Sequence, residues 1–265
     1  MQEYPVKVGS MLFTMVDPNV GHEVAYNRWY ERDHFYGGCM VGPWILAGSR
    51  WVSPRTLKDK RFPTTSPFAE PVDAGSYVAI YFIHAGHVKE HFDWAGKQVV
   101  ELYKDGRGFA ERSHAHTCLY DFADAVYAPD ETVSIELALD HRFKGMFTIV
   151  TEPSDDTSDE AHLAEVQSTL ASQLFTDPAV RIVSSWRLRG DGVKGEGAPM
   201  KLGTDGGNDR RLVNLVFVNS PDGSAWDVAR AAADALDESG VAKVTFASPW
   251  YPTNIGTDDF TDQLW

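Results

Sequence analysis

Residues 7–35 read KVGSMLFTMVDPNVGHEVAYNRWYERDHF, and this stretch decides the fold. Met11, Phe13 and Met15 alternate with Leu12, Thr14 and Val16, which is the two-residue period of a β-strand. Asp17-Pro18-Asn19 breaks that strand. Glu23 to Phe35 then runs without Gly or Pro and reads as a helix, which Gly37-Gly38 is expected to end. A strand that feeds straight into a helix opens a β-α unit.

The same grammar continues outward. Trp44 to Val52 reads as a strand, Pro54 to Gly75 as a long proline-rich connection, and Tyr77 to His84 as a nearly continuous apolar strand. Val88, Phe92, Ala95, Val99 and Leu102 keep helical spacing within His87 to Tyr103, and Arg112 to Phe122 makes a fourth strand. The order then repeats. Phe143 to Thr151 is a strand, Thr157-x-x-Glu160 resembles a capping box, and Leu163, Val166, Leu170 and Leu174 stripe the helix behind it. Val180 to Arg189, Leu212 to Val218 and Val241 to Tyr251 are strands. Gly190 to Asn208 reads as a glycine-rich mobile loop, and Ser224-x-x-Asp227 can cap a helix ending at Gly240. Two β-α-β-β-α-β units predict two ferredoxin-like halves, residues 1–125 and 126–265. Each four-stranded sheet would have one bare apolar face, and the other half is its simplest cover. The expectation is an α+β, pseudo-dimeric α/β barrel with a cavity between the sheets; the alternative is two independent domains.

Composition narrows the function. The 265 residues are 43% hydrophobic and 23% charged, ordinary values for a folded chain. A net charge of −14 repels phosphate backbones and anionic lipid, so neither nucleic acid nor membrane is an expected partner. No apolar run approaches the roughly 20 residues that span a bilayer, and the N-terminus lacks a secretory pattern. Two cysteines, Cys39 and Cys118, cannot build a disulfide framework, which fits a reducing cytoplasm. Seven of the nine histidines precede residue 126, whereas most of the acidic excess follows it. The chemistry is therefore expected in the first half.

On a helix of about 100° per residue, Glu23, Tyr26, Asn27, Tyr30 and His34 share one arc, with Trp29 on the adjacent one. Histidine exchanges a proton near neutral pH, and tyrosine and asparagine can hold a carbonyl or an oxyanion. The face suits proton transfer beside a carbonyl or phenol. An aromatic packing face with a terminal histidine would give the same pattern.

The sequence N-x-W-Y-x-x-x-H, here Asn27, Trp29, Tyr30 and His34, lies in a helix directly after the first strand and is followed by Gly42-Pro43-Trp44. This resembles the dimeric α/β-barrel superfamily, in particular its EthD-like members, arranged as a tandem duplication. The resemblance implies a fold shared by polyketide cyclases, lactone isomerases, cofactor-free monooxygenases and haem-handling proteins. It also implies an acid, base or orienting role for His34. The second half departs from it: Glu160 to Phe175 offers only His162, so one site per chain, on the first sheet, is expected.

The resulting expectation is an enzyme that uses no cofactor and acts on a small apolar carbonyl or aromatic substrate. His34 is its acid or base, Tyr30 and Asn27 are polarising donors, and Tyr26, Trp29, Trp44, Phe82 and Trp94 are candidate walls. Cyclase, isomerase or lyase chemistry fits. A cofactor-free monooxygenase, or a haem-, metal- or ligand-binding protein, is the alternative, and a filled barrel kept for assembly is a third reading. The chain could also dimerise through its outer helices. His114 and His116, two apart in a strand, are expected on one face. With His84 they would be the ligands if a metal were bound. His87-Val88-Lys89-Glu90-His91 matches H-x-x-E-H but lacks a third partner, Glu101 and Glu111 being unremarkable candidates.

Overall fold

The computed structural model describes residues 5–190, 210–220 and 224–265. Beyond Gly190, the expected Gly190–Asn208 loop lies outside the described residues, as does the Ser224 cap side chain. The eight strands are β1 (Val8–Pro18), β2 (Ile45–Val52), β3 (Tyr77–His84), β4 (Arg112–Tyr127), β5 (Gly145–Pro153), β6 (Val180–Leu188), β7 (Leu212–Val218) and β8 (Ala242–Pro252). All pairings are antiparallel, and they close into a barrel in the order β1-β3-β2-β8-β5-β7-β6-β4. Each half contributes the same order, β4-β1-β3-β2 and β8-β5-β7-β6. One seam between them is long, Tyr120 to Tyr127 against Ile182 to Leu188. The other is short, with Trp51 and Val52 facing Pro252 and Tyr251. This is the pseudo-dimeric α/β barrel, closed within one chain.

The helices α1 (Glu23–Trp29), α2 (Arg55–Lys58), α3 (Val88–Lys104), α4 (Asp159–Leu174) and α5 (Ser224–Ser239) complete the chain with a short 3-10 turn, Ile135–Leu137. The first cap of α4 is Ser158, whose hydroxyl accepts from the Ala161 amide at 3.2 Å, one residue beyond the Thr157 read from sequence. No helix among the described residues is long and apolar enough to cross a membrane.

The alternation of β1 decides what lies inside. Met11, Phe13 and Met15 join Val78, Ile80, Phe82, Trp186, Phe217, Phe246 and Trp250 in one core between the two sheets. The strand residues among them have 0–1% of their surface exposed, so the barrel interior is filled and the expected inter-sheet cavity is not found at them. The cause is side-chain size. Large aromatics point inward from both sheets and meet in the middle, as Phe82 and Trp186 do at 4.8 Å. The Pro54–Gly75 connection adds Phe68, whose ring stacks on His116 at 3.8 Å. Leu12, Tyr77, Ala79 and Tyr81 face outward, toward α1.

Two further departures from the sequence reading shape the site. The first helix does not end at Gly37-Gly38; beyond Trp29 it continues as a π-helix, Tyr30–Met40, closed by Val41 N–H bonding to the Tyr36 carbonyl at 3.2 Å. Projection at 100° per residue therefore fails for the segment that carries His34. A β-bulge also interrupts β4. Met15 pairs with His116 and Val16 pairs with His114, so Ala115 is the extra residue. The bulge changes the parity of the strand, and His114 and His116 face opposite sides of the sheet.

Candidate active site

Across the outer face of the first sheet, Thr117, Thr14, Ala79 and Arg50 are successive register partners on β4, β1, β3 and β2. Thr14 and Ala79, at the centre of this row, are small and buried under longer side chains. These come from Arg50 at one end, from His114 in the next row of β4, and from Tyr30 and His34 on the π-helix above. Leu12 keeps an accessible edge although it lies on a central strand beneath the helix, and so do His34 and His114.

The π-helix is pinned from its far side. Asp33, 2% exposed, accepts from Arg107 Nε at 2.7 Å, and Trp29 Nε1–H donates to the Arg107 carbonyl at 2.8 Å. Phe109 stacks on Trp29 at 5.3 Å, and the Arg112 guanidinium lies 4.5 Å from the centre of the same indole. The other face of this aromatic stack receives His34, parallel to Trp29 at 5.1 Å and edge-on to Tyr30 at 5.0 Å. Trp29 and His34 are five apart, which is the neighbour spacing of a π-helix; an α-helix would have separated them. Burial, helped by the charges of Arg112 and Arg50 and by repulsion from His114 whenever that carries a proton, holds the His34 imidazole down to about 3. It is neutral at physiological pH. No hydrogen bond reaches its nitrogens among the described residues.

His114 is neutral for the same reasons, held down to about 4 by burial and then by Arg112. Its Nδ1 lies 2.8 Å from Thr117 Oγ1 and 3.4 Å from Thr14 Oγ1. Its Nε2 is buried without a partner. Arg50 projects from an otherwise nearly uncharged strand and is 5% exposed. Its guanidinium lies 4.3 Å from the centre of the Tyr30 ring and 5.1 Å from that of Tyr77. Nη1 donates to Asn27 Oδ1 at 3.0 Å, with Glu31 at 3.4 Å, while Nε and Nη2 lack partners, as do Arg112 Nη1 and Tyr77 OH. Buried donors without acceptors are costly, and several lie around one space.

The structure thus gathers Tyr26, Trp29, Tyr30 and His34 as the sequence reading expects, but assigns some of them other work. The Tyr30 hydroxyl is bonded to Tyr81 OH at 2.9 Å, and burial pushes its pKa upward, so it stays a phenol. Asn27 spends its whole amide, on Arg50 and on the Thr257 carbonyl, to which Nδ2 donates at 2.7 Å. Tyr26, 1% exposed, is a wall against Tyr77 and Phe109.

The other predicted walls lie elsewhere. Phe82 faces the barrel interior, on the opposite side of the sheet from His34. Trp44 is 44% exposed and stacks on His87 at 3.6 Å, next to His84. Trp94 lies over Gly42, where a Cβ would come within 2.3 Å of its ring. His84, His114 and His116 do not converge. His84 pairs with Val8 while His116 pairs with Met15, seven residues along β1, or about 20 Å at strand rise. His91 Nδ1–H donates to the Pro43 carbonyl, 2.9 Å away, apart from His87. Among the described residues no group of three or more His, Cys, Asp or Glu is placed to hold a metal ion. The Cys39 thiol, pushed up to about 12 by burial, stays protonated. Sequence reasoning missed Arg50, Arg112, Thr14 and Thr117. The signal available was a lone arginine inside an apolar strand and two threonines on the face opposite the inward aromatics.

The second half differs in kind. Val166, Leu170, Leu174, Ala229, Ala232 and Leu236 fill the layer between α4, α5 and their sheet with no exposed surface. His162 there bonds to Thr151 Oγ1 at 3.0 Å.

No protein-family model matches the chain, and no curated protein matches it in sequence. Solved structures match it in fold. An anthrone oxidase-like protein superposes with a TM-score of 0.56 at 10% identity, covering 96% of this chain and 98% of its own. A candidate monooxygenase from Fusobacterium nucleatum gives 0.50 at 11% identity over 95% and 94%. A haem-bound variant of DypB from Rhodococcus jostii RHA1 gives 0.51 at 9% identity over 97% and 96%. The chain has the dimeric α+β-barrel fold of these proteins, and at such identities the likeness is one of fold.

Proposed function

We propose that this chain is an enzyme that removes a proton from a small phenolic or enolisable aromatic compound held between the π-helix and the outer face of the first sheet. One observation carries the reading: two neutral imidazoles, each with a partly accessible edge, lie close to two guanidiniums whose donors are incompletely paired. A proton placed on His34 would sit beside Arg50 and Arg112, which is unfavourable unless the same step creates an anion there. Removing a proton from a phenol, or from carbon next to a carbonyl, does so. The resulting phenolate or enolate is stabilised by the buried guanidiniums, whose unpaired N–H groups need no rearrangement to receive it. The walls Tyr26, Trp29, Tyr30 and Phe109 suit a flat aromatic body.

Such an anion is the first intermediate in cyclisation, isomerisation and lyase reactions. It is also the species that reacts with dioxygen in cofactor-free oxygenation, and the anthrone oxidase-like neighbour supports that branch as the runner-up. Among the described residues the helix layer over the second sheet is packed without exposed surface at Val166, Leu170, Leu174, Ala229, Ala232 and Leu236, and offers haem no slot there.

The test is deuterium exchange from solvent into the carbon acid anthrone, followed by NMR, with oxygen consumption measured in parallel. His34→Ala should lower the exchange rate by about 10²–10⁴-fold while the protein stays folded. If His34→Gln restores exchange, the residue only orients the substrate. Exchange that is unaffected by His34→Ala, or a variant that no longer folds, overturns the reading.

A further inference from the structure

The hydrogen bonds around His114 favour one tautomer. Thr117 Oγ1–H donates to the His116 carbonyl at 2.9 Å, which uses its single proton. Toward its other two neighbours, Thr14 Oγ1 at 2.8 Å and His114 Nδ1 at 2.8 Å, Thr117 can therefore only accept. It follows that His114 Nδ1 is the N–H and Nε2 carries the lone pair. That lone pair is buried, has no partner, and belongs to an imidazole close enough for its charge to act on His34. A base whose tautomer is fixed by a third group, with its acceptor left unpaired, is the arrangement that acid–base catalysis requires.

We propose that His114 is a second proton-transfer residue of this site, set by Thr117 to accept the proton of a substrate hydroxyl, and that the substrate is therefore a phenol or enol. This rests on the reading of the His34 site as one for proton transfer. In the step, the substrate O–H bond breaks, its proton forms the Nε2–H bond of His114, and the electron pair stays on oxygen as a phenolate beside Arg112. The imidazolium keeps its Nδ1–H bond to Thr117 and gains the phenolate as a counter-charge. Burial and the Arg112 charge oppose protonation of His114 in the empty site, and an anion between the two groups reverses the second effect and offsets the first. His34 remains free to move a carbon-bound proton of the same compound, so the two imidazoles together would interconvert keto and enol forms.

The probe is 4-nitrophenol, whose phenolate absorbs in the visible, titrated onto the full-length protein at a pH below the phenol's own pKa. The wild type should bind it saturably and raise its ionised fraction above that in buffer. In His114→Gln the phenolate-to-phenol ratio on the protein should fall by about tenfold or more, one pKa unit or more of the bound phenol. Thr117→Val should lower it, Thr117→Ser should keep it, and ¹⁵N NMR should show the Nδ1–H tautomer of His114 in the wild type and a mixture in Thr117→Val. If Thr117→Val does not fold, His114→Gln and Thr117→Ser still decide. A band unchanged in His114→Gln, or absence of saturable binding to the wild type, overturns the proposal and leaves the His34 reading to be decided by the anthrone exchange. The reverse is also separable: normal behaviour of the band with anthrone exchange unaffected by His34→Ala sinks the His34 role and keeps that of His114.

Discussion

Replacing Asn27 by alanine decides between two roles for that residue. As a polarising donor it would touch substrate, and its loss would lower turnover with little effect on stability. The structure instead spends its amide on Arg50 and on the Thr257 carbonyl, which ties the C-terminal residues to α1. The charge-assisted bond to Arg50 is worth about 1.5–3 kcal/mol and the bond to Thr257 about 1 kcal/mol. Arg50 would keep only Glu31, at 3.4 Å, and the aromatic rings around it. The sum is about 2.5–4 kcal/mol, or a melting temperature lower by about 10 °C in a chain of this size. Calorimetry of Asn27→Ala measures it directly. Asn27→Asp keeps an acceptor for Arg50 and sets a carboxylate against the Thr257 carbonyl, so its loss should be smaller. A melting temperature unmoved by Asn27→Ala, with turnover abolished, would refute this reasoning and restore Asn27 to the chemistry.

Three other outcomes follow from the same structure. Residues 1–125 expressed alone should aggregate or self-associate, because Met11, Phe13, Val78, Ile80 and Phe82 would lose their cover and β2 and β4 their partner strands; a soluble monomer on gel filtration would contradict the barrel. His116 and His162, both fully buried, are held neutral to about 3 and about 4, below their ordinary 6.5. The unfolded chain therefore binds more protons as the pH falls, so stability is complete above about 6.5 and each histidine removes about 3 kcal/mol of it by about pH 4. Urea titrations across that range should show the midpoint falling with acid, and a flat profile would mean that these histidines are not buried neutral. Gly48→Val places a Cβ 2.5 Å from the Met40 sulfur and 3.1 Å from the Phe35 and Tyr81 rings; overpacking of about 1–3 kcal/mol should lower the melting temperature.

Strand and helix order was legible because its signals are local. The alternation of Met11, Phe13 and Met15, the break at Asp17-Pro18-Asn19 and the apolar stripe of α4 each lie within a few residues of chain. Closure into a barrel was legible too, since two half-bare sheets have one economical way to bury their faces. The aromatic cluster of Tyr26, Trp29, Tyr30 and His34 stood out as a patterned segment. Long-range packing decided the rest. Whether the barrel is hollow depends on whether Phe82 and Trp186, over a hundred residues apart, meet across it. Which way His114 points depends on one extra residue in a ladder with β1. The phase of His34 depends on a helix that widens after Trp29, and the pairing of Arg50 with Asn27 on a strand and a helix brought together by the sheet. A periodicity reports the face a side chain occupies, whereas register, bulges and helix pitch set what it meets there, and these are fixed by contacts between segments distant in sequence.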